Sequence, residues 1–145
     1  MALIWGQGPW VADTSAWAWA SHPSVSRQWK TAARAGEIVA CPVVTLELLY
    51  DAPDREHVER VAEAVSALRQ APLTRSVTDS AISAVRELAA HGSAGSHRVR
   101  VPDAMIAAAA AERGFAVLHY DQHFDRLAAV LGFRSQWIAE AGSVP

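Results

Sequence analysis

The sequence predicts an α/β domain with a mainly parallel central sheet and helices on both faces. Short apolar runs, such as Ile38–Cys41 and Phe115–Tyr120, read as strands covered on both sides. Between them lie longer segments with apolar residues at helical spacing, as in Val58, Val61, Ala62, Val65 and Leu68. The 145 residues, 51% hydrophobic, suffice for one core and exclude a disordered chain. No linker or internal repeat divides them, so a single domain over 1–145 is expected.

Residues 1–9, broken by Gly6, Gly8 and Pro9, read as a loose lead-in. Trp10–Asp13 is the first strand, and Thr14–Ala20 a helix with a hydroxyl residue to cap it. Ser24–Ala35 is a second helix, stopped by Gly36. After strand Ile38–Cys41, Pro42 suits the first turn of a helix through Tyr50. Arg55–Gln70 is helical, Pro72 ends it, and Leu73 starts a short strand. Thr78 caps a helix to Ala90, and His91–Ser96 is loop. Pro102 and Asp103 open an alanine-rich helix that stops at Gly114. Strand Phe115–Tyr120, helix Asp125–Leu131 and strand Phe133–Ile138 complete the pattern.

Net charge is -2, which does not mark the whole protein as a nucleic-acid binder. Lys30 is the only lysine, so local basic patches are built of arginine, which holds phosphate through paired hydrogen bonds. Cys41 stands alone, which excludes an internal disulfide and suits a small buried hydrophobe. The N-terminus lacks a signal-peptide pattern and no apolar run is long enough for a bilayer, so a cytoplasmic, non-membrane protein is expected.

Four acids lie where elements begin or end: Asp13 in VADTSAW, Glu47 in VVTLELLY, Asp103 in VPDAMIAAAA and Asp121 in LHYDQHFD. Singly, Asp13 and Asp121 read equally as turn residues and Asp103 as a helix-start acid favoured by the dipole. Glu47 shares a helix face with Val43 and Val44, where a solvated glutamate is out of place. Jointly they say more. Two unit charges about 4 Å apart repel by roughly 4 kcal/mol at an effective dielectric of about 20. Converging carboxylates therefore take up protons or bind a cation, and an all-oxygen set suits Mg²⁺ or Mn²⁺ rather than zinc. Other chemistries lack their motifs: no Walker glycine loop, no H-E-x-x-H and no GxSxG elbow occurs. A phosphatase using Asp13 as nucleophile would want a second Asp two residues on, where Ser15 stands. His119 and His123 flank Asp121 and read as exposed loop histidines.

The order DTSA, a helical Glu, PDAMIAA and then YDxxFD resembles the PIN domain, and within it the VapC-type toxins of bacterial toxin–antitoxin pairs. The resemblance runs from Trp10 to Ile138. It implies a three-layer α/β/α sandwich and a Mg²⁺-dependent endoribonuclease, with Mn²⁺ as a substitute, that hydrolyses RNA phosphodiesters. It further implies Asp13 and Asp103 as direct metal ligands, with Glu47 and Asp121 binding through water or shaping a second metal position. Ser15 then supports the site and Asp125 is an additional acid at the rim. Many members carry Ser or Thr two residues before the fourth acid, where this chain has His119. Arg98 and Arg100 are candidates for holding substrate phosphates, with a solvated loop as the reading placed ahead of it. A cognate antitoxin and a second copy of the chain are the implied partners.

Trp17 and Trp19 in AWAWA, with Trp10 and Trp29, allow two readings: a partner groove or ordinary core. The alternative to cleavage is a PIN-like module that binds RNA or protein without cutting.

Overall fold

The computed structural model describes residues 3–143, so residues 1–2 and 144–145 of the expected 1–145 domain lie outside it. Strand β1 (Trp10–Ala12) leads into α1 (Thr14–Trp19) and α2 (Ser26–Arg34). Then come β2 (Ile38–Ala40), α3 (Pro42–Asp51), α4 (Arg55–Ser66) and β3 (Arg69–Gln70). Helices α5 (Arg75–His91) and α6 (Val101–Glu112) precede β4 (Ala116–His119), α7 (His123–Leu131) and β5 (Ser135–Trp137).

The strands form one parallel sheet in the order β3-β2-β1-β4-β5. Alternation along each strand feeds two cores. Val11, Val39 and Val117 face a core shared with α3, α5, α6 and α7. Trp10, Ile38, Ala116 and Leu118 face the other, shared with α1 and α2. Helices thus cover both faces, and the three central strands β1, β2 and β4 are buried along their whole length because neither face meets water, whereas the edge strands β3 and β5 carry polar residues. The three-layer sandwich is the architecture expected.

Four of the tryptophans belong to the second core, and Trp17 packs against both cores. Trp5, Trp10, Trp19 and Trp29 are buried there, and Trp17 packs edge-on against Trp29 at 4.8 Å between centroids. The partner-groove reading is therefore replaced by core packing: α1 and α2 share one layer, so aromatics on both helices meet between them. Residues 3–9 form no helix or strand, yet they are not loose. The Trp5 indole N–H donates to the Ile138 carbonyl at 3.0 Å and the Gly6 N–H to Gln136 Oε1 at 2.8 Å, fastening the lead-in across the sheet edge.

Several boundaries differ from expectation. Helix α4 stops at Ser66 and the strand falls at Arg69–Gln70 rather than at Leu73. Pairing to β2 ends with the Ala71 N–H bound to the Ala40 carbonyl, and Pro72 has no N–H with which to continue it. Thr74, not Thr78, caps α5, accepting from the Val77 N–H at 3.2 Å. Helix α2 starts at Ser26 and α7 at His123, each two residues from the expected start.

Helix α6 is enclosed nearly all round. Ala107 to Ala110 are buried without a break, because a methyl group is all the space between sheet, α5 and α7 accepts. Ala109→Leu should overfill that space and cost about 1–3 kcal/mol, read as a lower urea midpoint.

Candidate metal centre

The strand order reverses between β1 and β4: from β1 the chain first builds outward through β2 and β3, then returns to place β4 on the other side. Ligands of open α/β sheets bind at the carboxyl ends of strands at such a switch point. Asp13 directly follows β1, and Asp121 lies two residues beyond β4. The Asp13 N–H donates to the Leu118 carbonyl at 2.9 Å, which joins the two strand ends.

Asp13 caps α1. Its Oδ2 accepts from the Ser15 N–H at 3.1 Å and the Ser15 hydroxyl at 2.6 Å, while Ser15 Oγ accepts from the Tyr120 N–H at 2.9 Å. Ser15 thus holds the first acid and the approach to the fourth together. Asp103 is the third residue of α6, and Pro102 suits that first turn because an N–H there needs no partner within the helix. Its side chain is 1% exposed. Glu47, on α3, accepts from the Thr14 hydroxyl at 2.9 Å and from Arg100 at 3.2 Å. Asp121 Oδ1 accepts from the His123 N–H at 2.9 Å.

Burial sets the electrostatics. It pushes the Asp103 carboxyl up to about 6, helped by the charge of Asp13 and opposed by a hydrogen bond from His123. Asp13 is also raised, by burial first and in part by Glu47, against the hydrogen bonds from Ser15. Two buried acids in each other's field are what a divalent cation relieves.

The donor atoms of Asp103, Asp121 and His123 all lie within 4.8 Å of one another. His123 Nδ1 stands 3.1 Å from Asp103 and 3.7 Å from Asp121. The expected all-oxygen set therefore has a nitrogen beside it. This donor set fits a divalent ion; Asp13 and Glu47 are not among these donors, and Asp13 acts on Asp103 through its charge.

Neither flanking histidine is an exposed loop residue. His123 opens α7 half-buried at the site, and His119 is wholly buried at the end of β4, where burial pushes it down to about 4 and keeps it neutral. The signal for His123 was its spacing two residues after Asp121 at a helix start. Asp125 turns toward β5, where Ser135 and Trp137 donate to it at 2.7 and 3.0 Å. Arg100 borders the site through Glu47, whereas Arg98 lies exposed in the preceding loop.

A parallel α/β sheet that gathers acids from several elements at its switch point defines the class: α/β proteins with an acidic cluster at the carboxyl ends of their strands. Within that class the chain belongs to the PIN domain family, whose model matches residues 11–130. Ribonuclease VapC18 of Mycobacterium tuberculosis is 38% identical over 91% of this chain and 96% of its own length. Ribonuclease VapC51 of the same organism is 37% identical over 93% and 96%. Among solved structures, a DNA-bound VapBC from Salmonella typhimurium matches with a TM-score of 0.68 at 20% identity, over 90% of this chain and 98% of that one. VapBC2 from Rickettsia felis, bound to a promoter DNA fragment, gives 0.65 at 12% identity, over 88% and 97%. These two likenesses are of fold.

The raised Asp103 pKa has a defined sign. From about pH 4 to about pH 6 the unfolded chain gives up this proton while the folded one keeps it, so stability falls as pH rises and the deficit is complete above about 6. In chelator at about pH 8, Asp103→Asn should therefore be more stable than the parent by on the order of 1–3 kcal/mol. The gain should vanish near pH 4, and urea melts across that range measure it.

Proposed function

We propose that this chain is a metal-dependent endoribonuclease of VapC type, the toxin of a toxin–antitoxin pair. The observation that carries the proposal is the Asp103 carboxylate, buried in the field of Asp13 and with its donor atom within 4.8 Å of those of Asp121 and His123. Membership of the PIN family and the likeness to two VapC ribonucleases over nearly their whole length support it.

On this reading Asp13 and Asp103 hold Mg²⁺, or Mn²⁺, with Asp121 and Glu47 contributing through water and His123 at the edge. When bound, the ion supplies activation of water and neutralises charge on the phosphoryl oxygens. The chain's own groups arrange the rest. Ser15 fixes the rotamer of Asp13. Thr14 and Arg100 share the two oxygens of Glu47, so that carboxylate is aimed before substrate arrives. Arg100, more than half exposed, has donors left over for an RNA phosphate.

The protein partners are an antitoxin and a second copy of this chain. The VapBC complexes among the structural neighbours support the first. Exposed Leu46 and Tyr50 on α3, and a groove of about 500 Å³ lined by Ile82, Val85, Val101 and Met105, are apolar surface available to protein contacts. Among the described residues, no helix is long and apolar enough to cross a membrane.

The deciding experiment incubates the purified chain with structured RNA in Mg²⁺, in Mn²⁺ and in chelator. Cleavage should require the ion and disappear in Asp13→Asn and Asp103→Asn; parental activity in either variant, or in chelator, refutes the assignment. Arg100→Ala should raise KM for RNA about fivefold with kcat nearly kept, equivalent to about 1 kcal/mol of ground-state binding, as steady-state kinetics would read.

A further inference from the structure

His119 is fully buried at the end of β4, and neither ion binding nor RNA contact uses it. Its neighbours fix its proton. The Asp121 N–H donates to Nδ1 at 3.1 Å, so Nδ1 is bare. Nε2 therefore carries the hydrogen and donates to Ser135 Oγ at 2.6 Å. The Ser135 hydroxyl donates onward to Asp125 Oδ1 at 2.7 Å, and the Trp137 indole N–H meets the other oxygen at 3.0 Å. Every donor meets an acceptor, in one direction, from the peptide of Asp121 to the carboxylate of Asp125. The path crosses the end of β4, the start of β5 and the first turn of α7. Phe124 and Trp137 flank the ring at 5.0 and 5.1 Å between centroids, so it cannot turn without displacing packed neighbours.

We propose that His119 is a positioning residue for Asp121, holding that acid's backbone through Nδ1 and braced from behind by Ser135 and Asp125. The inference rests on the reading that Asp121 helps to hold the ion. Side chains that accept the N–H two residues ahead fix a turn, as Asn, Asp, Ser and Thr commonly do. Here an imidazole nitrogen does so, and the bend it fixes brings the Asp121 carboxylate to Asp103 and His123. A hydroxyl at this position could make the same turn but is too short to reach β5. The ring reaches it, and so ties the geometry of the site to the sheet edge. Asp125 accordingly serves as an outer brace rather than a ligand. Groups that orient metal ligands from outside typically govern affinity by about 10- to 100-fold.

The test measures Mn²⁺ binding to the full chain without RNA, by electron paramagnetic resonance of the free ion. His119→Gln reaches toward Ser135 but loses the acceptor at the Nδ1 place; His119→Asn keeps an oxygen near that place and loses Ser135. His119→Gln should bind Mn²⁺ about 10-fold more weakly, and His119→Asn within about threefold of the parent. Parental affinity in His119→Gln, or equal weakening in both, overturns the proposal. If near-UV circular dichroism shows that neither variant folds, Ser135→Ala decides: about threefold weaker binding is expected, and unchanged affinity overturns it. Asp121→Asn separates the two levels. Weak binding there with parental binding in His119→Gln sinks this inference alone, whereas parental binding in Asp121→Asn removes Asp121 from the ion site itself.

Discussion

The burial of one carboxylate, Asp103, beside another, Asp13, is the constraint on which the rest of the arrangement depends. An ionised acid that is 1% exposed loses most of its hydration, and the neighbouring charge adds to the cost. The fold tolerates this because packing elsewhere holds both backbones in place. Asp103 is carried inward by a helix whose alanines let it sink between sheet and flanking helices. Asp13 is carried by the central strand, whose neighbours on both sides fix its register. Neither acid can retreat to solvent without breaking up a core.

The polar groups around this pair bear on it from several elements. Ser15 ties Asp13 to the backbone after β4, Thr14 ties α1 to Glu47, and Arg100 ties α3 to the start of α6. Each bond joins residues distant in sequence, so the site is a product of the sheet order. Held in this way, the acids form a preformed cluster of negative charge, which under the proposed function would meet an incoming ion with little rearrangement. The PIN family model spans all of these residues, from β1 to α7.

Much of the fold was legible because burial on both faces leaves a plain mark in the sequence. Apolar runs such as IVA and AVL have that composition since neither face of their strand meets water. Strand β3 left no such mark. Arg69 and Gln70 are exposed at the sheet edge, so their sequence continues the polar face of α4 and hides the change of state. The start of α5 was misplaced for a related reason. Thr74 and Thr78 both carry capping hydroxyls, and only the chain's exit from β3 selects the first.

By itself the sequence determined the alternation of strand and helix, the hydrophobic character of the sheet and the positions of four acids at element ends. Those are local properties, written in composition and period. The tertiary structure alone decided which side chains share a space. It buried Trp10, Trp19 and Trp29 between α1, α2 and the sheet, turned Asp125 away toward Trp137, and brought His123 to Asp103 across 20 residues of chain. It also decided that His119 is a buried, neutral ring rather than a loop residue. The reason is that a side chain's neighbours depend on strand order and helix packing, and no local pattern in one chain specifies either.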